Sequence, residues 1–308
     1  MVKTRVCTTF VAVFVVFFVL TIFVYRFLNR VSNKSSDGKF YIPMNPHMYI
    51  QQDKSQTDYS KEMDQLNREQ VSMDDPRLIQ LIRNHWIENP SDAEYNLQFP
   101  DLLDPSAGQA PFVDNRMSFK ERGFYVECGA LDGETRSNTL MLERLRKWNG
   151  LLIEADPSNY KNLKEKHRKA FSINACLSIY PFPVIMEFKQ RFSQGKLIEN
   201  ERDRGGKKGT IIEVQCFPLY SILLAINVTR IDFFSLDVEG DELKVLQTLP
   251  FDQVDIEMMT VEYKHIDLGE DYLKNYVENK GYDSLVKIGH YRQWANDIIF
   301  KKRKRNFR

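Results

Sequence analysis

Gly123 to Thr139, GFYVECGALDGETRSNT, limits the folds open to this chain more than any other stretch. Phe124, Tyr125 and Val126 are strand formers. Glu127 puts a carboxylate where that strand ends. Gly129 and Gly133 permit backbone angles and close approaches that a side chain would block. Thr139 then opens a helical run with Leu140, Leu142 and Leu145 as its apolar positions. Strand, acid, glycine turn and helix together describe a loop that meets a nucleotide-type cofactor. The spacing, Glu127-x-Gly129-x-x-x-Gly133, departs from the GxGxxG of dinucleotide sites. An acid before a loosened glycine pair suits S-adenosylmethionine, which has no pyrophosphate to cradle. A strand-turn-helix corner with glycines for packing is the alternative for this stretch taken alone.

The rest of the core repeats the plan. Leu151 to Glu154 is a second strand that ends in an acid, 21 residues beyond Gly133, where a carboxylate commonly accepts ribose hydroxyls. Asp156-Pro157-Ser158 caps a helix over 159–169, whose Lys161, Lys164, Lys166, Arg168 and Lys169 read as a solvated face. Phe171 to Ala175 is a third strand, with Asn174 either near an adenine or an ordinary strand-end amide. The alternation breaks at Pro181 to Phe217, where Val184–Lys189 and Thr210–Phe217 form an antiparallel pair around a polar tip. A short helix follows over 218–228. Ile231 to Asp237 is an apolar strand ending in acid, and Glu242 to Thr248 is the helix after it, with Asp241 the better cap. Asp237 should project at the carboxyl edge of the sheet as a contact to donor, substrate or metal, with Glu239 beside it. Ile256–Glu262 is a strand, 268–280 a helix closed by Gly281, and Tyr282–Ile288 and Asp297–Lys301 two last strands. This order argues for α/β architecture with one open, mostly parallel sheet. His265 is the best histidine candidate for a base, or a plain surface histidine.

With 308 residues, 43% hydrophobic and 28% charged, the chain has globular composition, and a net charge of +1 argues against nucleic acid as the main partner. Cys128, Cys176 and Cys216 have no metal-ligand spacing and read as buried small hydrophobes; a luminal domain allows one bridge and one unpaired thiol. Val6 to Tyr25 carries no charge and, at about 30 Å of helix, matches a bilayer core. It reads as a retained single-pass anchor with the C-terminal domain in the lumen. The domains expected are a cytosolic tail and anchor over 1–28, a polar stem over 29–73, a helix and loop packing on the core over 74–122, and the core over 123–308. Asp75-Pro76 starts that helix, with Leu78, Ile79, Ile82 and Trp86 on one face and Asn89-Pro90 ending it. Tyr95 to Arg122 reads as loop, and KKRKRNFR as a solvated basic tail.

YVECGALDGETRSNTLMLE, WNGLLIEADPSNYKNL and IDFFSLDVEGDELKVLQTLPF with VEY resemble the FkbM-type methyltransferase family. Their wording, with the anchor and stem, looks most like the Star-like membrane protein subfamily. The resemblance implies the class I, Rossmann-like methyltransferase fold, a seven-stranded sheet with a reversed last strand. It also implies that Glu127, Gly129 and Gly133 line the methionine part of S-adenosylmethionine, with Ala130, Asn138 and Asn174 in the cofactor set and Glu154 on the ribose. Asp237 and Glu239 match the family's Asp-x-Glu-Gly element beside the reaction centre. Star-like relatives act in trafficking of membrane-tethered growth-factor precursors, from endoplasmic reticulum to Golgi and through endosomes or plasma membrane. Two functions therefore stand open: a trafficking factor that reuses the fold, and an active luminal O-methyltransferase.

Overall fold

The computed structural model describes residues 49–54, 58–205, 208–292 and 295–304. The anchor expected over 6–25 and most of the stem lie outside these residues. Among the described residues no helix is long and apolar enough to cross a membrane.

The main sheet has eight strands: β1 (Ile87–Glu88), β2 (Phe124–Cys128), β3 (Asn149–Glu154), β4 (Phe171–Asn174), β9 (Arg230–Leu236), β10 (Asp255–Glu262), β11 (Tyr282–Gly289) and β12 (Asn296–Lys302). A second sheet holds β5 (Cys176–Leu177), β6 (Val184–Gln190), β7 (Lys196–Ile198) and β8 (Thr210–Phe217). The main order is β1-β4-β3-β2-β9-β10-β12-β11, with β4, β3, β2, β9 and β10 parallel. β12 runs antiparallel between β10 and β11. The reversed last strand is therefore present. The expected seven strands become eight because β1 adds antiparallel to β4 at the edge.

The central strands read as unbroken apolar runs because both their faces are covered. Leu151, Leu152, Ile231, Phe233, Phe234 and Met259 are fully buried. Their connections are α4 (Leu140–Arg146), α5 (Pro157–Glu165), α7 (Leu219–Ala225), α8 (Glu242–Thr248) and α9 (Glu270–Asn279), after α1 (Ser60–Glu69), α2 (Pro76–Leu81) and α3 (Gln109–Arg116), with a single turn α6 (Glu201–Arg204) between β7 and β8. Parallel neighbours force each connection back to the same edge of the sheet. The loops after β2, β3, β9 and β10 therefore meet at one rim.

Several expectations change. Residues 60–69, read as spacer, form α1, and its Met63 and Leu66 are buried. Tyr95 to Arg122 is not all loop. α3 lies within it and buries Ala110 and Val113, because two apolar positions three apart suffice once a partner face exists. Asp75 caps α2 as expected, accepting from the Arg77 amide, but the helix widens to a π turn over Ile82–Trp86 before β1. Cys176 and Cys216 are not independent buried thiols: β5 and β8 pair them side by side, and they form a disulfide, while Cys128 stays free and buried.

Candidate active site

Glu127 ends β2 and is 4% exposed. Its carboxylate accepts from the Ser137 hydroxyl at 2.8 Å, the Asn138 amide at 2.7 Å and the Thr139 hydroxyl at 2.5 Å. These are donors at the start of α4, so the acid ties the strand end to the helix that follows it. Burial pushes its carboxyl up, and the Arg168 charge and these donors oppose that.

Arg168 is not on the solvated face where its sequence neighbours suggested it. It is 3% exposed, not solvated, because α5 stops at Glu165 and the chain turns inward. Its Nε donates to Glu143 at 3.0 Å, and Nη2 to the Tyr125 and Thr139 hydroxyls at 3.1 Å each. Nη1 reaches the Gly133 carbonyl. Lys166 is not solvated either: it pairs with the buried Glu134 at 2.8 Å. Lys161 and Lys164 are exposed as expected. The signal missed was position: Arg168 and Lys169 stand just before a buried strand, not on a helix face.

The glycine loop is held to its neighbours at close range. Gly129, at φ +75°, lies so near β9 that an added Cβ would sit 2.0 Å from the Asp237 carbonyl oxygen. The Gly129 and Ala130 amides both donate to the Ile153 carbonyl at 3.1 Å. Glu154, at the end of β3, accepts from the Leu131 amide at 2.7 Å and the Asp156 amide at 2.9 Å, one on each oxygen. Burial pushes its carboxyl up to about 7.

Beyond β9 and β10 the rim is acidic. Asp237 faces Glu262, Glu239, Asp297 and Glu242, and burial first, then those charges, push its carboxyl well above the usual range. Asp241 stands at the N-cap of α8 but its side chain caps no helix amide: it pairs with Lys244 at 2.9 Å, while Glu242 ties down the turn before the helix, accepting from the Val238 amide at 2.8 Å and the Gly240 amide at 3.1 Å. Glu239 holds a left-handed backbone, φ +60°. His265 Nδ1 stands 3.1 Å from Glu239 and 3.3 Å from Glu262, and these carboxylates raise the imidazole to about 10. The two carboxylates favour the protonated imidazole, which places a cation between two acids.

A cavity of about 650 Å³ opens along this rim. Its wall includes Glu127, Gly129, Ala130, Asn138, Glu154 and Asp237, and also Glu239 and His265. Two candidates are not in it. Gly133 packs against Leu163 and Arg168. Asn174 spends its amide on the Glu154 carbonyl at 2.8 Å and the Ala155 carbonyl at 3.2 Å, holding two strand ends together. Sequence reading missed the second sheet's share of the wall: Cys176, Leu177, Phe188, Phe192 and Leu197 make one end apolar. Phe192 is 58% exposed while lining the cavity.

Acids at the ends of three parallel strands converge on one crevice beside a glycine loop, at the carboxyl edge of a Rossmann-like sheet. Residues 127–304 match the methyltransferase FkbM domain, and the chain belongs to that family. Among solved structures it is similar to a methyltransferase FkbM from Methylobacillus flagellatus, 15% identical over 64% of this chain and 48% of that one, TM-score 0.44. The chain thus spans about half the length of that protein. A putative RNA methyltransferase from Pyrococcus horikoshii is 9% identical over 80% and 98% of the two chains, TM-score 0.35. M. jannaschii TYW2, solved in complex with AdoMet, is 18% identical over 63% and 76%, TM-score 0.30. No curated protein matches.

Proposed function

We propose that the domain is an S-adenosylmethionine-dependent O-methyltransferase of the secretory lumen. The observation that carries this reading is the shared cavity: Glu127, Glu154 and Asp237 come from three strands and stand in one wall. The residues fit the cofactor's chemistry. Glu154 takes the Leu131 and Asp156 amides on different oxygens and is also bonded by Asn159, and a carboxylate's four lone-pair sites leave room for a ribose hydroxyl. The apolar end with Leu177, Phe188 and Phe192 suits an adenine face. The acidic rim at Asp237 suits a sulfonium and an ammonium. When bound, the cofactor supplies an electrophilic methyl group. The chain supplies the position of an acceptor hydroxyl, and Asp237, poised by its raised affinity for protons, accepts the proton that hydroxyl loses. The Cys176–Cys216 bridge supports an oxidising compartment. Calorimetry of the full chain with S-adenosylhomocysteine tests the reading: one site per chain is expected, and absence of binding by folded protein rejects it.

A second reading has its own support. Phe99, Leu102 and Leu103 are 55%, 49% and 49% exposed on a loop fixed by Arg144 and Glu134. A rigid apolar patch of this kind suits protein docking. It fits a Star-like trafficking factor for membrane-tethered growth-factor precursors. Glu127→Ala with Asp237→Ala separates the two: cargo export that survives in folded protein favours the scaffold.

A further inference from the structure

The cavity floor carries more negative charge than the nearby side chains neutralise. Glu239, Glu262 and His265 form one group whose ligand-capable atoms lie within 4.8 Å of one another, and there the His265 imidazolium stands between the carboxylates. Asp237, Glu242 and Glu262 form a second group within the same distance, and it has no basic member. Glu242 is fully buried and Glu262 is 5% exposed. Three carboxylates in so small a space repel one another unless protons or a cation join them, and a divalent cation can bind all three at once.

A separate observation comes from Thr260. Among the described residues its hydroxyl is the buried side-chain polar atom with no hydrogen-bond partner, and the residue is fully buried. On β10 it precedes Glu262 by two, so both side chains leave the same face of the sheet. Across the ladder it pairs with Ser235 on β9, and Ser235 and Glu262 both line the cavity. The Thr260 side chain therefore leaves the sheet on the same face as Glu262, one row below it and behind the cavity wall. An orphaned buried hydroxyl in such a place points to a water or ion that protein atoms do not supply.

We propose that Asp237, Glu242 and Glu262 hold a hard divalent cation of the Mg²⁺ or Mn²⁺ kind, with Thr260 hydrogen-bonded to a water in its shell. An all-oxygen set selects these ions over softer metals. Glu242 keeps its bonds to the Val238 and Gly240 amides, which fixes that carboxylate for a ligand role. With the ion bound, Asp237 is a ligand, and the ion, by lowering the pKa of the acceptor hydroxyl, would take over the part Asp237 plays in the metal-free chain; that part rests on the methyltransferase reading, the binding does not.

The test is loss of the free Mn²⁺ paramagnetic resonance signal on titration into the chelator-stripped full chain, without any methyl donor. One ion per chain is expected. Asp237→Asn and Glu262→Gln should each weaken binding at least tenfold, and Thr260→Val about tenfold, as loss of a supporting contact does. Asp237 is only partly buried, so that variant reports even if Glu262→Gln does not fold. An undiminished free signal at millimolar Mn²⁺, or unchanged affinity in Asp237→Asn, overturns the proposal. S-adenosylhomocysteine binding is measured on the same samples. Cofactor bound without the ion removes the ion alone, and the ion bound without cofactor removes the methyltransferase reading alone.

Discussion

Arg168 and Glu143 show how much a single side chain does here. Their side chains are 2% and 1% exposed, and the guanidinium also bonds Tyr125, Thr139 and the Gly133 carbonyl. Removing one partner leaves the other charge buried and unpaired, so Arg168→Met should cost about 3–5 kcal/mol in urea unfolding. The glycine loop depends on it, so cofactor affinity should fall in the same variant. Gly129→Ala presses a methyl group into the Asp237 carbonyl and strains a positive φ. Its expected outcome is loss of S-adenosylhomocysteine binding by calorimetry, with Gly269→Ala as a comparison at a similar φ where a Cβ meets nothing. The acids were legible one at a time, because each ends an apolar strand. Arg168 was not, because a cation in a basic run reads as solvated until its buried carboxylate is known.

At the scale of elements, alternation of strand and helix was legible from β2 to α5 and again from β9 to β12. Each strand there is an apolar run closed by an acid or a turn. The two-residue β1, α3 and the second sheet's place beside the cavity were not. Such short pieces are stabilised by what they touch, and their own sequence carries little periodicity. Trp86 illustrates this: it leaves the π turn to meet Phe217 edge-on at 5.3 Å and Tyr59 at 5.0 Å, partners far away in sequence. The neighbouring Cys176–Cys216 bridge closes a separation of 40 residues. Replacing both cysteines by serine should destabilise the domain by about 2–4 kcal/mol. Cys176 and Leu177 also line the apolar end of the cavity, so weaker cofactor binding should accompany the loss.

For the molecule as a whole, the rim sets a pH dependence of definite sign. Burial raises Glu154 from 4.5 to about 7 and Glu242 from 4.5 to about 8. The folded protein therefore holds protons that the unfolded chain releases, so these groups favour folding most at low pH and less as pH rises through 7 and 8. His265, raised from 6.5 to about 10, stabilises below pH 6.5 and loses that contribution as pH passes 10. Thermal melts should fall steadily from pH 5 to 9, and Glu242→Gln should flatten the slope. In chelator-stripped protein methyl transfer should behave oppositely, rising with pH as Asp237 gives up its proton, with a midpoint above the ordinary carboxylate range.

The reversal of β12 has a bearing on variation among chains of this build. It makes β11 and β12 a hairpin whose tip, with His290, Tyr291 and Arg292, reaches the cavity rim. Tyr291 is 80% exposed there. A hairpin tip tolerates insertion and exchange far better than a crossover between parallel strands. If the domain transfers methyl groups as proposed, relatives could acquire a new choice of acceptor by rewriting a few residues at this doorway, while the acids deeper in the crevice remain where they are.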